Sequence, residues 1–83
     1  MQFEYKTKGT CSQMIFFEVE DGKVYNVRFM GGCNGNLQGI GKLVEGMEIY
    51  EVIRRVDGIH CGPKPTSCPD QLATALKQAK EKL

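Results

Sequence analysis

The stretch Met14–Phe29, MIFFEVEDGKVYNVRF, decides the fold. Its aromatic and β-branched residues favour extended chain, and the one interruption is Asp21-Gly22, a pair suited to a two-residue hairpin turn. Pairing outward from that turn sets Glu20 opposite Lys23, then Phe16 opposite Val27 and Met14 opposite Phe29, all on one face. This apolar face is expected to meet the core. Ile15 opposite Arg28 and Phe17 opposite Asn26 are expected on the other, mixed face. Residues 13–30 therefore read as two strands, and the pattern at 2–6 adds a third.

Beyond the hairpin the apolar period becomes helical. In NLQGIGKLVEG, residues 36–46, Leu37, Ile40, Leu43 and Val44 recur at helical spacing, Asn34 or Asn36 suits the start, and Gly46 suits the stop. Gly39 and Gly41 weaken this helix but allow another backbone, or a bound group, to approach closely. The next helix falls in MEIYEVIRRVDG, residues 47–58, with Ile49, Val52, Ile53 and Val56 on one stripe and Gly58 as its C-terminal cap. A last helix opens near Pro69 and aligns Leu72, Leu76, Ala79 and Leu83, with Asp70 near its start and Lys77, Lys80 and Lys82 near its end. Strands followed by helices give an α+β fold: a three-stranded antiparallel sheet followed by three helices packed on one face, a single domain over residues 1–83.

Eleven basic against ten acidic residues leave a net charge of +1, so no strong field draws the chain to nucleic acid or to a membrane. No stretch approaches the ~20 apolar residues that span a bilayer, and the opening MQFEYKTKGT does not read as a secretory signal. A cytoplasmic setting is expected, and there four cysteines read as metal ligands, redox groups or free thiols before disulfides.

Cys33 stands in a glycine-rich turn leading to the first helix, and Cys68 stands beside the start of the third. Unpaired amides and the positive end of the helix dipole favour a thiolate at such places. Cys61 precedes Cys68 by seven positions, which lets both sulfurs reach one point, although a typical zinc knuckle uses a tighter interval. Cys11, in KGTCSQ, completes a four-thiolate set if its turn lies at the same end of the sheet. Cys11, Cys33, Cys61 and Cys68 are thus the candidate ligands for zinc or an iron-sulfur cluster, with His60 in reserve. The competing readings are a dithiol pair, in which Cys68 attacks a disulfide and Cys61 resolves it, and small buried residues that only pack. GGCNGNLQGIGK satisfies neither common phosphate-loop pattern, because Asn36 and Leu43 occupy required positions.

PTSCPDQLA, residues 65–73, together with GGCNGN, residues 31–36, KGTCS, LVEGM and GIHCG, resembles the TSCPD-domain family over nearly the whole chain. Such modules occur at the C-terminus of cobalamin-dependent ribonucleotide reductases, and stand-alone versions are commonly named ribonucleoside-diphosphate reductases by that association. The resemblance implies a place in oxidoreductase chemistry serving DNA synthesis, with a ribonucleotide reductase or a nucleotide as partner. Reduction itself requires a large barrel, so the expected role is accessory: binding metal or nucleotide, or relaying reducing equivalents through Cys33, Cys61 or Cys68. A more distant similarity is to U-type iron-sulfur scaffold proteins, which share the order of sheet, helices and helix-start cysteines. Their aspartate near the first cysteine is absent here, where Gly31 and Gly32 precede Cys33 and Asn34 follows it.

Overall fold

A computed structural model describes residues 1–10, 12–32 and 34–82, and of Asn34 the backbone alone. Cys11, Cys33 and Leu83 lie outside the described residues, as do the side-chain roles expected of them. The strands are β1 (Gln2–Lys6), β2 (Ser12–Glu20) and β3 (Lys23–Gly31), in an antiparallel sheet of order β1-β2-β3. The helices α1 (Asn34–Val44), α2 (Ile49–Val56) and α3 (Cys68–Glu81) follow. This is the expected α+β arrangement.

The hairpin forms where the sequence demands it. Asp21 and Gly22 both take positive φ, 52° and 75°, and Glu20 pairs with Lys23. The expected face does not hold, because the register slips between Phe16 and Glu18. Glu18 pairs with Tyr25 but Phe16 pairs with Arg28, so β3 carries one residue more than β2 across this interval. Asn26 adopts φ 54°, the left-handed conformation of a bulge, and its amide and side chain are held by Glu45 Oε1 at 2.8 Å and Glu18 Oε2 at 2.6 Å. The extra residue exchanges the faces of β3 beyond it and brings Val27 and Phe29 to the side of Val24, while β2 keeps its alternation through Ile15, Phe17 and Val19. Val27 thus joins Val19, Val24, Ile15 and Phe17, so the face expected to be mixed is the buried one, while Phe16 lies on the opposite face with Arg28 over its ring.

All three helices cover the face that bears Ile15, Phe17 and Val19, and close a core with Val44, Ile49, Val52, Leu72, Leu76 and Ala79. The stripes read from the sequence are buried or half-buried at Leu37, Ile40 and Val44 of α1, Ile49, Val52, Ile53 and Val56 of α2 and Leu72, Leu76 and Ala79 of α3. Leu43, expected on the α1 stripe, is instead 77% exposed, because it falls on the side of the helix turned away from the sheet. At Gly41 a Cβ would stand 2.6 Å from the carbonyl oxygen of Val27, so glycine is what lets α1 meet β3 backbone to backbone. Gly39 meets nothing within 4 Å. The α1–α2 connection then clips onto the start of β3: Gly46 donates to Val24 O, and Val24 donates to Met47 O. No helix among the described residues is long and apolar enough to cross a membrane.

Candidate functional site

The last five-residue motif of the sequence, Thr66-Ser67-Cys68-Pro69-Asp70, sits at the start of α3. Ser67 has extended backbone, accepts the Asp70 amide at 3.2 Å and so caps the helix, while its hydroxyl donates to Ile59 O at 2.6 Å. Cys68 is then the first helical residue and Pro69 the second, one place later than Pro69 was expected. Proline costs nothing there, because the amide it lacks would have no helical acceptor.

Asp70 reaches out of the helix. Its carboxylate accepts the Gly58 amide at 2.7 Å and the Thr66 hydroxyl. The Thr66 hydrogen bond, helped by the Gly58 amide and by the nearby charges of His60 and Lys77, holds its pKa below the ordinary carboxylate value against the opposing effect of burial. Thr66 also accepts from Gln71 Nε2 at 3.0 Å, and Gln71 Oε1 accepts the Lys8 amide at 3.0 Å. Through these contacts one helix start fixes both the loop after α2 and the turn between β1 and β2. The sequence signal for this network is the S-x-x-D spacing of Ser67 and Asp70, a capping signature.

Cys61 and Cys68 border one small pocket with Thr10, Lys64, Thr66 and Ser67. Cys61 is exposed in a tight turn, in which its amide donates to Thr66 O and its carbonyl accepts the Lys64 amide. Cys68 is buried, and its Sγ–H donates to Ser12 Oγ at 3.2 Å across 56 residues of sequence. Ser12 faces inward because β2 carries its own extra residue between Ser12 and Met14, which turns Gln13 to solvent and Ser12 to the core. Opposite Ser12 in the sheet stands Gly31. The structure therefore brings Cys61 and Cys68 to one pocket, whereas His60 is exposed and does not line it. Among the described residues no three histidine, cysteine or acidic side chains cluster closely enough to hold a metal ion.

A sequence model of the TSCPD domain matches residues 3–80, from β1 to the last turn of α3. The chain belongs to the TSCPD-domain family. The pentapeptide that names the TSCPD domain is thus the cap of α3 together with the thiol behind it. No curated protein and no solved structure matches the chain. Chemically, the TSCPD motif here offers one buried sulfur at a helix start, and Cys61, outside the motif, adds one exposed sulfur across a shared pocket. Two thiols are half of a four-coordinate zinc or cluster site, so the donor chemistry fits such a group only with further ligands.

Proposed function

We propose that this TSCPD domain is a cytoplasmic, ribonucleotide-reductase-associated accessory module that holds zinc or an iron-sulfur cluster on Cys61, Cys68, Cys11 and Cys33. The observation that carries this reading is the shared pocket of Cys61 and Cys68 at the N-terminus of α3. Supporting it, Thr10 and Ser12, the chain neighbours of Cys11, line that pocket and contact Cys68 respectively. Gly31, two positions before Cys33, is paired with Ser12. Amides at the helix start favour negative charge on the Cys68 sulfur. The bound group would supply a structural crosslink or a transferable cluster, and the accessory role is what the resemblance to reductase-borne TSCPD modules implies. The test is elemental analysis of anaerobically purified protein with a free-thiol count on the same sample. Near-stoichiometric zinc or iron with protected thiols is expected, and its loss in Cys61→Ser and Cys68→Ser. Metal-free protein with four reactive thiols overturns the reading.

A purely structural role is favoured by a different observation: the polar side chains of the pentapeptide are all spent on internal hydrogen bonds. On that reading Cys68 only packs. A Cys68→Ala protein that keeps both its melting temperature and its reductase association would select it.

A further inference from the structure

We infer that the sheet face turned away from the helices is a dimer interface, on which a second copy of this chain packs with Phe16 against Phe16 and Glu4 against Arg28 of the other copy. An antiparallel sheet covered on one side normally shows polar residues on the other. Here Met14, Phe16 and Met30 hold the middle of the open face. Met14 and Phe16 are half-buried, and Met30 is 49% exposed. The helices do not cover this patch, because all three pack on the side of Ile15 and Phe17.

The strand register orders the charges around the patch. Glu4 pairs with Phe16 and Phe16 with Arg28, so one row across the sheet reads acid, aromatic, base. The next row reads Lys6, Met14, Met30. A second copy laid face to face about a two-fold axis along β2, the middle strand, places its β3 over β1 and its β1 over β3. Phe16 then meets Phe16, Met14 meets Met14, and each Glu4 meets the Arg28 of the other copy. A two-fold axis across the strands through Phe16 would instead set Glu4 on Glu4 and Arg28 on Arg28. Moved between the two rows, that axis leaves both Arg28 side chains without a carboxylate.

Packed sheets stand about 10 Å apart, a gap that glutamate and arginine side chains span together. Arg28 already lies over the Phe16 ring, 5.8 Å from its centre, so its charge stands at the edge of the apolar patch. Glu18, next along β2, does not oppose its own copy squarely. Asn26 Nδ2 donates to it at 2.6 Å and draws it towards β3, so the two carboxylates lean to opposite edges. Strands about 4.8 Å apart and rows about 7 Å apart give this face on the order of 300 Å² of sheet. That is the low end of specific interfaces, so the dimer is weak, concentration-dependent and weaker in high salt.

Sedimentation equilibrium in reducing buffer, which keeps the thiols from crosslinking two chains, tests this at concentrations up to about 1 mM. The wild type is expected to pass from monomer to dimer as concentration rises. Glu4→Arg and Arg28→Glu are each expected to associate at least about 10-fold more weakly, because each sets like charges against one another. Mixed in equal amounts, the two variants are expected to recover the dimer, since each presents the charge that the other now lacks. A wild type that stays monomeric throughout overturns the inference. So does a dimer that the two reversals leave unchanged, or one that mixing them does not restore. If either reversal fails to fold, Met30→Arg takes its place. It sets a cation against Lys6 of the other copy and is expected to weaken association in the same way, and unchanged association overturns the inference.

Discussion

The Gly58 amide donates to Oδ1 of Asp70 at 2.7 Å, so the chain leaving α2 is tied directly to the first turn of α3. Because the same carboxylate accepts the Thr66 hydroxyl, one side chain holds the whole thiol-bearing loop against the helix start. Asp70→Ala is expected to cost about 1–3 kcal/mol, since it leaves partly buried donors unpaired. Chemical denaturation measures the loss, and thiol labelling should show Cys61 and Cys68 reacting faster. An unaltered unfolding midpoint would remove Asp70 from the loop's support.

The bulge at Asn26 brings Val27 and Phe29 onto the face that bears Phe17 and leaves Phe16 opposite Arg28. Phe17 is fully buried, whereas Phe16 lies on the opposite face beside Arg28. Phe17→Ala is expected to cost about 3–5 kcal/mol and Phe16→Ala markedly less. Urea unfolding of the two variants makes the comparison. Equal losses would contradict the burial of this face of the sheet.

Asn26 itself can be probed by its backbone. At φ 54°, Asn26→Gly keeps the conformation, while Asn26→Ala pays about 1–2 kcal/mol for the left-handed region. Deleting Asn26 removes the extra residue and turns one side of the hairpin out of register, so no cooperative thermal transition is expected.

The two helix glycines should respond in opposite directions. Gly41→Ala drives a methyl to 2.6 Å from Val27 O and is expected to destabilise by about 1–3 kcal/mol. Gly39→Ala meets open space and gains about 0.5–1 kcal/mol of helix propensity. Melting temperatures of the pair suffice to check this.

Glu51 gives the pH dependence. Hydrogen bonds from Arg54 and then Arg55 lower its pKa from 4.5 to about 2. A carboxylate depressed in the folded state binds fewer protons there than in the unfolded chain, so stability rises with pH through this window. Its contribution is complete above about 4.5 and is lost as pH falls towards 2. Carbon NMR should find the Glu51 midpoint near 2, and Glu51→Gln should flatten the acid side of the stability profile slightly, because exposed pairs contribute little.

The hairpin at Asp21-Gly22, the stripes of α2 and α3 and the cap region at Pro69 were legible because each is set by residues within a turn or two of each other. The four cysteines stood out for the same local reason, as did the resemblance carried by PTSCPDQLA. What local pattern could not reveal was the pair of bulges, each a single residue of slippage between β2 and β3. Unbroken pairing from the turn sets Phe16 against Val27 and so picks the wrong face, because nothing near Asn26 says that Glu45 and Glu18 will hold it in a left-handed turn. Likewise the hydroxyl of Ser12 acquires a role only when Cys68, 56 residues away, is laid against it. The sequence by itself determined the elements, their order and the thiols, since backbone preference and apolar period are local properties. Tertiary structure alone decided the buried face and the company of each thiol, since register and long-range contact depend on which distant groups satisfy one another's hydrogen bonds.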